Sequence, residues 1–576
     1  MSISATRLAL PDMAPRSGKL RIRPAAKDLW HFRSPVSFSL ALALLFLSLY
    51  NVRFWREAGA AFWTGHPADA FYLAALAGVL LLFLTALLLL IPGSLLPRVA
   101  AVVLIPLAAM AAFCADSFGL GLDQEMFRSF AAADSQEASS MLSVRLVAYT
   151  LLLGILPLFF VGWSRLAVLS LRQHAWHRLL FIGPAIILAA ALIAAFPDRF
   201  RAFADEHARL HYLLVPNAAV KAWAGYAMAD LKRLEDDRSL ASATPPRRLN
   251  RPPGAKPLLV FLVIGETARH QNFQLGGYAR PTNPRLSAID HVFYFGHVES
   301  CGTSTAVSLP CMFSYRGRQR FDVNSALKER NIIDDLIDAG IDVEWRTNNS
   351  GGRSAARRAK LIDFRQSRTP GLCEGEVCYD EVLLQGLEES LATKKDDTLI
   401  VFHQIGSHGP DYFRRYPPSA EIFKPACRGE LTSCSGEEIV NAYDNTIAYT
   451  DRLLADQIGL LEKVADKFDT ALFYLSDHGE SLGEHGVHLH GAPAAVAPPE
   501  QKRIPLLLWM SPGFMQRHGI DLKCMSSRTS MPASHDQLPY TVSGMMGLSQ
   551  ARPRSAPNLA APCMTDAGQN EAPLER

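Results

Sequence analysis

Every long apolar run in this 576-residue chain lies before residue 200. Five segments, near 36–52, 71–91, 98–114, 146–163 and 179–196, approach the roughly 20 residues that a helix needs to cross a bilayer. In lipid every backbone N–H and C=O must be satisfied within the segment, so such runs are held to helices. The first and third are short, and as buried or interfacial helices they would leave fewer crossings. Overall charge is close to balanced, with a formal net charge of +3, which gives no argument for a nucleic-acid partner.

Basic residues set the orientation. Residues 1–35 carry Arg7, Arg16, Lys19, Arg21, Arg23, Lys27 and Arg33, with no small-residue cleavage site behind the first apolar run, so we read an uncleaved anchor. The 164–178 connection holds Arg165, Arg172 and Arg178 without an acid, whereas the 115–144 connection is acidic. Arg53 and Arg56 dissent. The balance places the N-terminus in the cytoplasm and, after five crossings, everything beyond residue 197 outside. That side permits disulfides. Eight of the nine cysteines follow residue 300, and three pairs are close in sequence: Cys301 with Cys311, Cys373 with Cys378, and Cys427 with Cys434. In the cytosol the same spacing would suggest metal or redox chemistry, and the topology selects disulfides. Cys524 and Cys563 are a fourth candidate pair.

The chain divides into a transmembrane domain (1–198), a bridging segment and linker (199–256), a domain at 257–550 and a loose Pro/Ala-rich tail (551–576). Residues 199–235 alternate charge with Leu, Trp and Tyr, as expected for amphipathic helix at the membrane surface or for the first helix of the soluble domain. Beyond it, apolar runs at 258–264, 341–345, 398–403, 470–475 and 505–510 alternate with helical patterns at 324–339 and 436–463. Strands buried on both faces between helices predict an α/β domain with a largely parallel sheet, whose site lies beyond the carboxyl ends of the strands.

At those ends stand Glu266, the pair Asp477-His478, and His403 with His408. Taken singly these are capping, turn and loop residues; together at one rim they form a nitrogen and oxygen donor set suited to zinc. Neighbours on a strand point to opposite faces, so Asp477 and His478 share a metal only where the strand has ended, and Gly479 permits that turn. A second feature is Ser300–Cys311 (SCGTSTAVSLPC), which follows a strand-like run at 291–297 and leads into a helical segment. Hydroxyls there either cap the helix or face a phosphate at its positive end.

The motifs VIGETAR (263–269), GYARPTNP (277–284), CGTSTAVSLPC (301–311), HQIGSHGP (403–410), NAYDN (441–445) and SDHGESLG (476–483) resemble, in order and over essentially the whole chain, those of the lipid A phosphoethanolamine transferases. This is the family that includes the mobile colistin-resistance enzymes. The resemblance implies five membrane helices before an alkaline-phosphatase-like (sulfatase-type) periplasmic domain in the bacterial inner membrane. It implies one tight zinc, with a second possible, bound by Glu266, Asp477, His478 and the nucleophile Thr305. It places His408 and His490 on the phosphate or a second zinc, and Ser350 with Arg353 on the substrate. In the 115–144 connection the family often presents Asn, Thr and Glu to the donor headgroup; here Ser129, Ala133 and Glu137 correspond, so ethanolamine contact falls to Glu137.

The expected reaction is a double displacement: zinc-activated Thr305 takes phosphoethanolamine from phosphatidylethanolamine, and a phosphate of lipid A, or another lipopolysaccharide phosphate or sugar, attacks the covalent intermediate. The expected unit is a monomer. Two alternatives share the architecture. A phosphoglycerol transferase of the lipoteichoic-acid-synthase type is disfavoured by the close cysteine pairs, and a catalytically silent membrane sensor by retention of every site residue. A sulfatase needs C/S-x-P/A-x-R at the nucleophile, which is absent.

Overall fold

The protein is described by a computed structural model covering residues 30–564, apart from 33, 133–138, 140, 168, 236–247, 250–253, 327, 351, 376 and 549–557. The basic N-terminal arm, Ala133, Glu137 and most of the Pro/Arg-rich linker lie outside the described residues, as does the side chain of Arg353.

Among the described residues, four helices are long and apolar enough to span a membrane: α3 (Pro67–Leu89), α4 (Leu96–Phe118), α6 (Val144–Trp163) and α7 (Leu171–Ala195). The first expected crossing is a bent pair, α1 (Pro35–Leu49) and α2 (Val52–Phe62), at 67°. The break has a polar cause. Between the two helices Asn51 donates Nδ2–H to the carbonyls of Phe46 (2.9 Å) and Val215 (2.7 Å), and accepts the Val215 N–H (2.9 Å). One buried amide thus ends α1 and ties it to the chain emerging after α7. Side chains such as Phe71 and Ile187 point outward, 68% and 73% exposed, as expected where lipid is the solvent. Trp30–Phe32 pairs in parallel with Ser164–Leu166, which sets His31 opposite Arg165.

A short helix, α5 (Gln124–Ala132), follows the Gly119 turn that ends α4 in the left-handed conformation (φ +69°). Residues 199–235 form three helices rather than one continuous surface helix: Pro197–Asp205, Ala208–Leu213 and α8 (Asn217–Glu235). α8 packs on α5.

The second half is built on an eight-stranded sheet: β1 (Leu258–Gly265), β2 (Val292–Glu299), β3 (Asp342–Thr347), β4 (Lys360–Asp363), β5 (Thr398–His403), β6 (Asp469–Ser476), β7 (Arg503–Met510) and β8 (Ala533–Ser534), in the order β8-β2-β7-β6-β1-β5-β3-β4. Only β7 runs against the rest. Every residue of β1 and β6 is buried, so the sheet is covered on both faces, as a parallel arrangement requires. The long amphipathic helix α10 (Gly436–Lys463) covers one face behind a Ser435/Glu438 capping box. The helical pattern at 324–339 is split, because Asn331 caps a new helix at Ile332–Asp338.

Register positions the site. Gly265 is opposite Ser476, and Ile264 and Thr347 are both opposite His403. Glu266, Asp477, Gln404 and Asn348 therefore leave four adjacent parallel strands at the same rim. β2 delivers Ser300 there too, followed by α9 (Thr305–Met312). Disulfides join Cys301–Cys311, Cys373–Cys378, Cys427–Cys434 and Cys524–Cys563. The last bridge bears on the tail: residues 558–564, expected to be loose, are mostly buried, with Leu559 and Cys563 packed into the core. The cross-link and this apolar anchor hold a stretch whose Pro/Ala content reads as unstructured.

Candidate active site

Glu266, Asp477 and His478, all buried, bring ligand atoms within 4.8 Å of one another. His478 Nε2 lies 3.2 Å from Glu266 Oε1 and 3.4 Å from Asp477 Oδ2. Its Nδ1–H donates to the Gly479 carbonyl (2.9 Å), which leaves Nε2 as the bare, ligating nitrogen. Asp477 uses Oδ1 for the N–H groups of Thr267 (3.2 Å) and His478 (2.7 Å), while Oδ2 is buried without a hydrogen bond. Burial pushes both carboxyls up to about 7, and repulsion from Glu266 adds to the rise at Asp477. Two desolvated carboxylates around one bare imidazole nitrogen are the donor set of a divalent-cation site.

Gly479 has a different task from the one its position suggests. A Cβ there would stand 2.0 Å from the Glu500 carbonyl oxygen, so close backbone approach, rather than a left-handed turn, demands glycine. The strained residue is on the other strand: Thr267, directly after Glu266, has φ +52°, held by the Tyr443 hydroxyl on its carbonyl (2.6 Å).

Thr305 opens α9. Its hydroxyl donates to Glu266 Oε1 (2.9 Å) and lies 3.3 Å from His478 Nε2. Ser304, at the capping position, makes no cap hydrogen bond. The Ser300–Cys311 stretch therefore presents a hydroxyl to the donor set instead of using it for capping, with the Cys301–Cys311 bridge closing the loop around it. His478, His490 and His408 form a row, with ring centres 4.5 and 5.3 Å apart. Burial opposes a charge on His490, but Glu480, 2.8 Å from Nδ1, raises it to about 9. His408 is driven well down by burial and stays neutral.

Sequence reasoning missed three members. Asn349 donates Nδ2–H to Glu266 Oε2 (2.7 Å) and to the Gln404 carbonyl (3.0 Å). Glu480 is clamped between His490 and the Tyr412 hydroxyl (2.5 Å). Asp380 accepts the N–H groups of Ile405 (2.9 Å) and Gly406 (2.8 Å), shaping the loop that carries His408. Glu480 sits inside the 476–483 motif and Asn349 lies two residues beyond the end of β3, so strand-end position was the available signal; nothing local marks Asp380. Ser350 neighbours the site through its N–H on Asn349 Oδ1 (2.7 Å). Ser129 spends its hydroxyl on the Glu125 carbonyl one helical turn back (3.1 Å).

A cavity of about 370 Å³ joins this rim to the membrane half, lined by Phe113, Phe118, Met126, Phe130, His408 and His490 among others. Apolar walls on one side and two histidines on the other suit a molecule with a hydrocarbon part and a charged head.

A largely parallel sheet with a hydroxyl-bearing helix and acid-histidine donors at its rim is the arrangement of the sulfatase and alkaline-phosphatase class. The sulfatase family model matches residues 259–548, and the model described as phosphoethanolamine transferase EptA/EptB matches 80–231. The chain is 37% identical to phosphoethanolamine transferase EptA of Salmonella typhimurium over 471 residues, covering 81% of this chain and 85% of that protein. It is 33% identical to phosphatidylethanolamine transferase Mcr-1 of Escherichia coli, over 71% of this chain and 77% of the relative. The integral membrane lipooligosaccharide phosphoethanolamine transferase A of Neisseria meningitidis superposes with a TM-score of 0.86 at 29% identity, over 93% of this chain and 99% of that one. The chain belongs to the EptA/EptB phosphoethanolamine transferase family, as a multi-pass inner-membrane protein whose catalytic domain faces the periplasm.

Proposed function

We propose that the protein moves phosphoethanolamine from phosphatidylethanolamine to lipid A through a covalent intermediate on Thr305. The observation that carries this reading is the Thr305 hydroxyl, 2.9 Å from Glu266 and 3.3 Å from the bare nitrogen of His478, whose ring neighbours His490 in the lining of an apolar cavity. Glu266, Asp477, His478 and Thr305 would hold zinc. Bound there, the cation supplies the charge that lowers the hydroxyl pKa and offsets the phosphoryl oxygens.

The remaining work is done by the chain. Asn349 holds Glu266 so that Oε1 meets the threonine proton. Thr305 Oγ1 forms the new bond to phosphorus as the bond to the diacylglycerol oxygen breaks. His490, kept cationic by Glu480, supplies a proton to that oxygen. His408, Ser350 and Arg353 contact the phosphoryl oxygens, and Glu137 takes the ethanolamine ammonium. The apolar walls of the cavity between the halves would seat the hydrocarbon part of the donor beside the site. One chain contains every residue used, which supports action as a monomer.

The test is a trapped half-reaction. Protein incubated with ethanolamine-labelled donor and no acceptor acquires label on Thr305 and releases diacylglycerol. Thr305→Ala keeps its fold and binds zinc only weakly, and it loses ~10³-fold or more in diacylglycerol release. Label on a residue other than Thr305 would falsify the assignment.

A further inference from the structure

A second, larger cavity of about 740 Å³ opens where α2 meets the loops flanking His490. Its lining includes Arg53, Arg56, Arg209 and His485, with Glu57 and Glu206 as the acids. One oxygen of Glu57 already accepts from both Arg53 (2.6 Å) and Arg209 (3.0 Å). These two guanidiniums are further fixed on the carbonyls of Gly486 (2.9 Å) and His485 (3.4 Å). They form a rigid basic wall. Arg56 is different: it is exposed and makes no hydrogen bond or ion pair among the described residues. Three cations therefore face two carboxylates, one of them already shared, and the surplus is on an exposed, unpaired fork suited to bidentate capture of phosphate.

Location limits what the site serves. α2 leaves α1 at 67° and buries Phe54, Ala58 and Phe62, so it lies along the membrane surface with its charged residues turned to the cavity. The other wall is continuous with the active site. His485 in the cavity and His490 in the site are five residues apart, a reach of at most about 17 Å. Ala495 and Val496 in the cavity follow Gly491 and Ala492, whose backbone N–H and carbonyl hold Thr303 at 2.7 Å each beside the nucleophile. The donor has one phosphate, and that phosphate must meet Thr305. A separate anion site on the same loop serves the other substrate.

We infer that this cavity binds a second phosphate of the acceptor, at the far end of a phosphorylated saccharide headgroup whose other phosphate faces Thr305. The inference rests on the transferase reading above. Volume agrees with it, since the cavity takes a sugar ring as well as a phosphate.

Arg56→Glu in the full-length protein, in vesicles of phosphatidylethanolamine and phosphatidylcholine, tests it with lipid A carrying two phosphates or one. We expect KM for the two-phosphate acceptor to rise ~10-fold with kcat within about twofold, and Arg56→Lys to recover most of the loss. KM for the one-phosphate acceptor and donor-only diacylglycerol release stay unchanged. An unchanged KM, an equal rise with both acceptors, or a fall in donor-only release overturns the assignment. So does an effect that follows added phosphatidylglycerol instead of acceptor phosphate number, which gives the cavity to bilayer lipid. Absence of donor-only release in the unsubstituted protein strikes the transferase reading itself.

Discussion

The two halves of the molecule use apolar sequence in opposite ways. In the membrane half, long runs are smooth, and the large side chains of α6 and α7 face outward. In the periplasmic half the runs are short, wholly buried, and each stops at a polar residue on one rim. The same hydrophobicity therefore anchors one half and aims the chemistry of the other. Among the described residues, the polar contacts that cross between them include Arg53 and Arg209 on the 485–486 loop, Arg128 on Asn324 (3.1 Å), and the Val144 N–H on Glu430 (3.1 Å).

That contrast can be broken, from the largest effect downward. Apart from the loss of turnover in Thr305→Ala, Phe261→Ala in β1, 0% exposed, removes a fully packed ring and costs about 3–5 kcal/mol in denaturant midpoints. Ile187→Ala on α7, 73% exposed, changes stability by less than about 0.5 kcal/mol in detergent; equal costs at the two positions would erase the distinction.

The acid pair gives a pH signature of intermediate size. Glu266 and Asp477 rise from 4.5 and 3.8 to about 7 in the fold. Protonated carboxyls are then favoured by the folded state, so the metal-free protein has its full stability from this pair below about pH 4 and loses it as pH rises through 7. A bound divalent cation removes that slope. Urea midpoints at pH 5 and 8, with and without zinc, check it, and parallel curves would count against a metal between these residues.

Asn51→Ala tests the polar joint between α1 and the chain after α7. It leaves the buried Val215 N–H and carbonyl unpaired, at about 1–3 kcal/mol, and loosens α2 from the chain after α7. Faster proteolysis between residues 206 and 217, with an unchanged donor half-reaction, is the expected readout.

Arg53 and Arg56 show how a local rule and the fold diverge. They count against the positive-inside balance only if the first connection is read as a plain loop. On α2, turned away from the span, they face the catalytic domain and a cavity.

The sequence alone determined the division into membrane and periplasmic halves, the covered parallel sheet, the three close cysteine pairs and the gathering of Glu266, Asp477 and His478 at one rim, because composition, period and strand-end position are local properties, while Thr305 was marked by the resemblance of its motif. Tertiary structure alone decided the antiparallel β7, the bend at Asn51, the packed 558–564 segment, the supporting roles of Asn349, Glu480 and Asp380, and both interdomain cavities. Each of these depends on which strand or helix lies beside which, and the free energy that settles it comes from contacts hundreds of residues apart in the chain.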